Sequence, residues 1–262
     1  MNRTAMSHLL ELVCLLALLF LAGCVGFAQA AEPTDPIRVL IVTGIDYPGH
    51  LWKQTTPVLQ EELGKDSRLK VEVLDSPYRL DSADLSRFDV LLLHFMNWEQ
   101  PDPNEKSREN LRSFVEGGGG LVSIHFACGA FSNWTEYPKL LGKVWDGKTT
   151  HDPRGPFRVD VIDGKHPLTD GLASFDTDDE LYFCLTGTKP VELLATARSK
   201  VTHRDEPMAF VHTYGKGRVF LTPLGHDVKA LKIPGTAELL RRACAWAARR
   251  EPVARSRPRY PR

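Results

Sequence analysis

From Ile37 onward the chain alternates short apolar runs with amphipathic segments. The apolar runs have the length and composition of buried strands, and the segments between them repeat apolar residues at helical spacing. The predicted strands cover residues 37–44, 69–76, 88–95 and 121–126, and the predicted helices cover 55–67 and 103–118. Thr55 or Thr56, just before Pro57, is predicted to cap the first helix. This succession favours a doubly wound α/β fold with a largely parallel sheet.

The second half of the chain predicts strands that extend this sheet. Further apolar runs occur at 157–163, 180–186, 191–198, 207–215 and 217–226, and a helical pattern follows at 236–249. Residues 214–217 predict a hairpin turn between the last two strands, which would therefore be antiparallel. We expect one α/β domain over residues 37–249, with a mostly parallel sheet and antiparallel additions.

The first thirty residues are typical of an export signal. Residues 9–21 are apolar except for Glu11, and the run is too short for a comfortable membrane span. Leu21-Ala22-Gly23-Cys24 resembles the bacterial lipobox, and cleavage before Cys24 would place a lipid anchor on that cysteine. Ala28-Gln29-Ala30 instead fits ordinary cleavage after Ala30. Either alternative predicts an exported protein, periplasmic or anchored to the membrane as a lipoprotein.

Composition narrows the classes of function. The chain has 33 basic and 33 acidic residues, and a formal net charge of zero argues against a nucleic-acid binder. Beyond the signal only Cys128, Cys184 and Cys244 remain, an odd number without a CxxC pair, so cysteines predict no metal-binding framework. Residues 250–262 are basic and rich in proline, and they predict a disordered tail.

Several histidines fall at or just beyond the carboxyl ends of predicted strands. His50 follows the first strand, His94 ends the third, His125 ends the fourth, and His226 ends the last. Open α/β sheets bind their ligands beyond these strand ends, where loops and helix N-termini meet. The pattern therefore predicts that imidazole rings from distant segments share one site, although His94, which follows three leucines, also fits a buried structural histidine.

The stretch GGGGLVSIHFACGAF (117–131) predicts a sharp turn after a buried strand. A nucleophile elbow needs small residues two positions before and after the residue that it presents. Ser123 and Ala127 satisfy this for His125, whereas bulky Phe126 stands two positions before Cys128. The elbow is therefore predicted to present His125, and Cys128 would face either the same pocket or the core.

Six stretches together resemble the ThuA-like (trehalose utilisation) family, over nearly all of residues 37–249. They are VLIVTGIDYPGHLW, LLLHFMNW, GGGGLVSIHFACGAFSNWTEYPKLLG, HPLTDGL, DDELYF and YGKGRVFLTPLGHD. The resemblance implies a flavodoxin-like fold, shared with class I glutamine amidotransferases, and a role in sugar utilisation. In those amidotransferases the elbow holds a cysteine nucleophile, and here that position is His125. The residues LGHD also lack the His-x-Glu pair of the amidotransferase triad, so we reject glutaminase chemistry.

The residue types predict three sets of site residues. His50, His125 and His226 are candidate ligands of a divalent metal, Zn or Mn. His125, Glu180 and His226 are candidate catalytic groups, although Glu180 also fits a solvated acidic loop. Asp46, Trp52, Trp98 and His151 are candidate substrate-binding residues, because aromatic rings stack on the apolar faces of sugars. Asp46 is also consistent with a residue that only stabilises a turn.

We expect a metal-assisted enzyme that acts on a carbohydrate, either trehalose or a keto-glycoside. The metal would polarise a sugar carbonyl and stabilise an enediolate, while one histidine moves the proton. Two alternatives remain open at the level of sequence. One is a non-catalytic carbohydrate-binding or scaffold protein with an amidotransferase-like fold. The other is a metal-free hydrolase that uses His125 and Glu180 as an acid–base pair.

Overall fold

The structure is a computed structural model that describes residues 35–162, 164 and 166–253. The predicted export signal, with Cys24 and Ala30, lies outside these residues, as does most of the predicted basic tail. Residues 250–253 of that tail are described, and the Arg68 guanidinium donates to the carbonyl of Glu251 (2.8 Å). Among the described helices, none combines the length and the apolar character needed to cross a membrane.

Five parallel strands form one half of a nine-stranded sheet. They lie in the order β2-β1-β3-β4-β11. Their bounds are β1 (Ile37–Val42), β2 (Leu69–Leu74), β3 (Val90–Leu93), β4 (Gly120–Ile124) and β11 (Gly217–Thr222). β3 and β4 are buried along their whole length, as their continuous apolar runs predicted.

Four antiparallel strands continue the sheet beyond β11 in the order β10-β9-β6-β7. Their bounds are β6 (Gly155–Val161), β7 (Phe175–Asp179), β9 (Glu192–Arg198) and β10 (Asp205–Tyr214). A separate two-stranded sheet pairs β5 (Thr150–His151) with β8 (Tyr182–Phe183). The predicted mostly parallel sheet with antiparallel additions is therefore confirmed.

Helices cover both faces of the parallel half. On one face, α1 (Trp52–Gly64) and α5 (Pro234–Ala247) bury apolar side chains that include Leu59 and Leu239. On the other face, α2 (Glu105–Gly117) packs Leu111 and Val115 against the sheet. The short helices α3 (Tyr137–Leu141) and α4 (Val228–Leu231) lie in the connections. Helices on both faces make the fold doubly wound, as predicted.

Two local predictions are wrong. The strand predicted over residues 180–186 does not form, because the chain breaks between β7 and β8 and only Tyr182–Phe183 is extended. The polar residues 176–179 instead form part of β7, where hydrogen bonds to β6 stabilise a strand without an apolar pattern. The first helix begins at Trp52 rather than after Thr55 or Thr56, so Pro57 lies inside the helix.

Candidate metal centre

Three parallel strands bring their carboxyl ends to one edge of the sheet. β1 and β4 both pair with β3, and β11 pairs with β4, so the loops that follow them are neighbours. His50 lies in the loop after β1, His125 follows β4 directly, and His226 lies in the loop after β11. The topology therefore places the three histidines over the same rim of the sheet, where this fold class binds ligands.

His125 is presented by a sharp backbone turn, as the elbow prediction requires. Its φ of 49° is in the left-handed region, which a residue with a Cβ rarely adopts, and a 3₁₀ turn (His125–Gly129) follows. The ring is fully buried, and its Nδ1 atom lies 2.6 Å from the carbonyl oxygen of Pro223. Because a carbonyl only accepts, Nδ1 carries a proton, and in the neutral ring Nε2 offers its lone pair to the site.

His50 reaches the same point from a tight turn. The backbone N–H of His50 donates to the carbonyl of Tyr47 (2.7 Å), and Gly49 between them has a φ of +86°. Glycine adopts this conformation without strain. Burial, reinforced by the nearby charges of His125 and His226, lowers the pKa of His50 to about 3. His50 is therefore a neutral imidazole at physiological pH, which is the form that binds metals.

Asp179 holds the remaining two candidate ligands in place. Its buried carboxylate accepts hydrogen bonds from the backbone N–H groups of Gly225 (2.7 Å) and His226 (3.1 Å). It also accepts one from the N–H of Glu180 (2.8 Å). The end of β7 is thus tied to the loop after β11, where Gly225 has a φ of +105°. Burial raises the pKa of Asp179, against the effect of His125 and these hydrogen bonds.

The donor atoms of His50, His125, Glu180 and His226 lie within 4.8 Å of one another. The Nε2 of His125 is 3.1 Å from the Nε2 of His50 and 3.2 Å from the Nδ1 of His226. The Oε2 of Glu180 is 3.2 Å from that Nδ1 and 3.5 Å from the Nε2 of His125. Four ligands at the usual zinc bond lengths, about 2.0–2.2 Å, are separated by about 3.3 Å in a tetrahedron. The group could therefore hold a metal ion.

Glu180 and His226 shift each other's pKa. Burial raises the pKa of Glu180, but hydrogen bonds and charges from His125 and His226 outweigh this, and the pKa is lowered overall. Burial lowers the pKa of His226, but the hydrogen bond and charge of Glu180 outweigh it and the pKa is raised. A carboxylate therefore stands beside imidazole nitrogens, and this mixed N/O donor set is one that Zn²⁺ accepts.

A cavity of about 350 Å³ opens above these residues. His50, Glu180 and His226 lie on its lining, together with the predicted substrate-binding residues Trp98 and His151. His151 lies on β5, where it pairs with Tyr182 on β8. The structure also brings in three aromatic residues that the sequence patterns did not single out, namely Tyr47, Trp145 and Tyr182.

Of these three residues, Tyr182 makes the most direct contact with a candidate metal ligand. Its hydroxyl lies 2.8 Å from the Nε2 of His125, and its ring lies 4.5 Å from the His125 ring between centroids. Burial, and then the charges of Cys128, Glu180 and Asp179, raise the pKa of Tyr182 well above its ordinary value. The hydroxyl therefore keeps its proton and can donate a hydrogen bond. No sequence motif distinguished it from the other apolar residues of DELYF.

Other candidates lie away from this cavity. Asp46 is exposed and its carboxylate accepts from the backbone N–H of Trp52 (3.0 Å) at the start of α1. Neither residue lies on the cavity lining, so their substrate-binding roles stay predictions. The carboxylate of Asp227, next to His226 in the chain, caps α4 by accepting from the N–H of Ala230 (2.9 Å).

Cys128 is not placed as a nucleophile. Its thiol is fully buried, and burial raises its pKa to about 12. A catalytic cysteine needs a lowered pKa, because the thiolate is the reactive form. This agrees with the rejection of glutaminase chemistry.

Comparisons with known proteins agree with this fold. A family model described as ThuA, trehalose utilisation, matches residues 38–247. A ThuA-like protein from Parabacteroides merdae is 26% identical, with a TM-score of 0.76, and the match covers 86% of this chain and 94% of the other. A ThuA-like protein from Bacteroides uniformis is 20% identical, with a TM-score of 0.66, over 86% and 98% of the two chains. No match was found among curated proteins.

A weaker similarity extends to one part of a larger enzyme. A β-galactosidase from Rahnella sp. R3 is 16% identical, with a TM-score of 0.57, and the match covers 82% of this chain but 32% of the other. At this identity the match shows the fold alone. Together these comparisons confirm the resemblance and the flavodoxin-like fold class predicted from the sequence.

Proposed function

The chain belongs to the ThuA family, whose description is trehalose utilisation, and we propose that it is a metal-assisted enzyme that acts on a carbohydrate. The proposed substrate is trehalose or a related keto-glycoside, and the reaction takes place at a sugar carbonyl or at the glycosidic bond. The proposal rests on the convergence of the donor atoms of His50, His125, Glu180 and His226, three of which, all but His125, line one cavity.

We assign His50, His125 and His226 to the metal and Glu180 to proton transfer. Three protein ligands leave a position open for substrate, which is typical of catalytic rather than structural sites. A divalent ion such as Zn²⁺ or Mn²⁺ held there would polarise a carbonyl oxygen of the sugar. The Oε2 atom of Glu180 lies 3.2 Å from the Nδ1 of His226, so its carboxylate is placed to accept a proton from a sugar bound beside the metal.

The surrounding residues orient the substrate. The hydroxyl of Tyr182 lies beside the Nε2 of His125 and faces the same cavity, so it can donate a hydrogen bond to a sugar oxygen. Trp98 and His151 lie on the cavity lining, and an indole face suits the apolar side of a sugar ring. The hydrogen bond from the Nδ1 of His125 to the carbonyl of Pro223 keeps the imidazole in one tautomer.

A screen of glycosides and keto-glycosides, each with and without a chelator, tests this proposal. The metal-assisted enzyme turns over at least one substrate and loses this activity to the chelator. Turnover that resists chelation would favour the metal-free pair of His125 and Glu180, whose Nε2 and Oε2 atoms are 3.5 Å apart. Sugar binding without any turnover would favour a non-catalytic binding protein.

We also propose that the protein is exported, on the basis of the first thirty residues alone. Mass spectrometry of the mature protein should find either a lipid-modified N-terminal Cys24 or an N-terminus at Ala31. A mature protein that retains residues 1–23 would contradict export by this signal.

A further inference from the structure

A second cavity, of about 620 Å³, adjoins the cavity of the candidate metal centre. It lies over the loop that follows the 3₁₀ turn of His125 and over the turn at residues 146–149. We call it the side groove; its lining includes Asn133, Trp134, Asp146 and Gly147, none of which lines the metal cavity. None of the three predicted metal-binding histidines lies on its lining. A molecule bound there would therefore contact aromatic and uncharged polar groups together with Asp146.

The two cavities share two residues, Trp98 and Trp145. The two rings lie 5.7 Å apart between centroids, at 49° to each other. The indole N–H of Trp98 donates to the carbonyl of Gly129 (2.7 Å), and a Cβ at Gly129 would come within 2.9 Å of that indole. Trp98 is therefore held closely against the backbone, while 38% of it remains exposed. This pair of rings forms the boundary that a ligand would cross between the cavities.

Trp145 is fixed from both sides. Its backbone N–H donates to the carbonyl of Cys128 (3.1 Å), a residue that lines the side groove. Its ring packs edge-on against Tyr182 (4.6 Å between centroids), a residue that lines the metal cavity. The boundary is thus built from ordered side chains rather than from a loose loop. A ligand that spans both cavities would meet a preformed surface, which lowers the entropic cost of binding.

The side groove has the mixed chemistry of a sugar subsite. The ring of Trp134 is half-buried and stacks at 6.0 Å from the ring of Tyr137, which leaves Trp134 beside the groove. The exposed side chain of Asn133 and the carboxylate of Asp146 stand on the same lining. A pyranose ring presents apolar C–H faces and hydroxyl edges, so flat rings together with hydrogen-bonding groups complement it.

We propose that the side groove binds the second sugar ring of a disaccharide whose reacting ring occupies the metal cavity. This inference rests on the proposed function, because it takes the metal cavity as the place of reaction. The metal cavity, at about 350 Å³, has room for one sugar ring, and the adjoining side groove, at about 620 Å³, has room for another. The substrate class is therefore a disaccharide that lies across Trp98 and Trp145.

Gly147 allows the groove to be filled without touching the metal centre. It is exposed, its backbone is outside the left-handed region, and a Cβ there would meet no atom within 4 Å. Gly147→Trp should therefore fold and place an indole in the groove. Gly117→Trp is the matched control, because Gly117 has the same open surroundings at the end of α2 and lines neither cavity. Asn133→Trp, at an exposed groove position, is a second filling variant.

The measurement is isothermal titration calorimetry of the full mature protein, loaded with zinc or manganese. The probes are trehalose, maltose and cellobiose on one side and glucose on the other. We expect at least one disaccharide to bind more than tenfold more tightly than glucose. Gly147→Trp and Asn133→Trp should abolish this difference and leave glucose binding unchanged, while Gly117→Trp should behave like the parent protein.

Two results would overturn the inference while the proposed function stands. One is that no disaccharide binds more tightly than glucose. The other is that the filling variants retain the full preference for a disaccharide. A parent protein that binds none of these sugars falls under the first result, and the screen of glycosides and keto-glycosides then tests the proposed function separately.

Discussion

The Nδ1 atom of His226 lies 3.1 Å from the Nε2 atom of His50, although 176 positions separate the two residues in the chain. Both atoms also face the Nε2 of His125 at a similar distance. Imidazole nitrogens at these distances can share a proton or bind a common cation. A divalent metal ion, as proposed above, would accept a lone pair from each of the three rings at once.

Asp179 is expected to act as a positioning residue for the metal centre. Asp179→Asn keeps the shape of the side chain, but it turns one of the acceptors for Gly225, His226 and Glu180 into a donor. Because His226 and Glu180 then lose their orientation, metal affinity should fall by about 10–100-fold. Titration with a competing chelator measures this change, and circular dichroism reports the fold.

The matched control is Asp178→Asn at the preceding position. Asp178 pairs with Arg154 and Lys229 and makes no contact with the loop after β11 among its described bonds. The metal affinity of the Asp178→Asn variant should match that of the parent protein. Equal metal affinity in both variants would show that Asp179 does not position the ligands.

Glu180 is expected to move a proton rather than to hold the metal. Glu180→Gln preserves the shape of the side chain but removes the base, so turnover should fall by about 10²–10⁴-fold. The metal content should stay at the parent level, because three histidines remain. Turnover is measured on the substrate found in the glycoside screen, and metal content by elemental mass spectrometry.

Glu192→Gln is the control for this substitution, since Glu192 is exposed on β9, away from the cavity. If Glu180→Gln releases the metal, Glu180 is a fourth ligand and the base must be another group.

Tyr182 is expected to hydrogen-bond the reacting sugar. In Tyr182→Phe the ring still packs on His125 and Trp145, but the hydroxyl beside His125 is absent. A hydrogen bond to a charged or developing charged group contributes about 1.5–3 kcal/mol. The ratio kcat/KM should therefore fall by about 10–150-fold, since about 1.4 kcal/mol corresponds to a factor of ten. Metal content should not change.

Tyr214→Phe provides the comparison, because its hydroxyl bonds to Glu136 (2.8 Å) and it does not line the cavity. Loss of the metal from Tyr182→Phe alone would mean that the phenol oxygen is itself a ligand, which contradicts a role as hydrogen-bond donor to the sugar.

The sequence could predict that the strand-end histidines share one site, because two simple rules apply to them. The order of apolar runs locates the strands, and parallel strands share an edge, so His50, His125 and His226 were predicted to lie over the same rim of the sheet, and the strand order of the structure brings them together. The small residues around His125 likewise predicted a sharp turn there, and in the structure His125 has a φ of 49°. These features depend on local pattern and on topology, both of which can be deduced from one sequence.

The supporting residues depend on contacts that no local pattern encodes. Asp179 stands in an acidic run that resembles a solvated loop, and only its pairing with Gly225, 46 positions away, makes it part of the site. Tyr182 resembles any buried aromatic residue until the chain breaks after β7 and turns it toward His125, 57 positions away. The same break explains why a continuous strand over 180–186 was wrongly predicted.

The metal content of histidine variants tests the central claim most directly. The protein is purified, supplied with zinc and manganese, freed of excess ion and measured by elemental mass spectrometry. The parent protein and His203→Asn, which replaces an exposed histidine on a turn, should each carry about one divalent ion per chain. His125→Ala and His226→Ala should carry almost none, with circular dichroism and thermal melting that show a folded protein. A full complement of metal in both alanine variants, or none in the parent protein, would contradict the account.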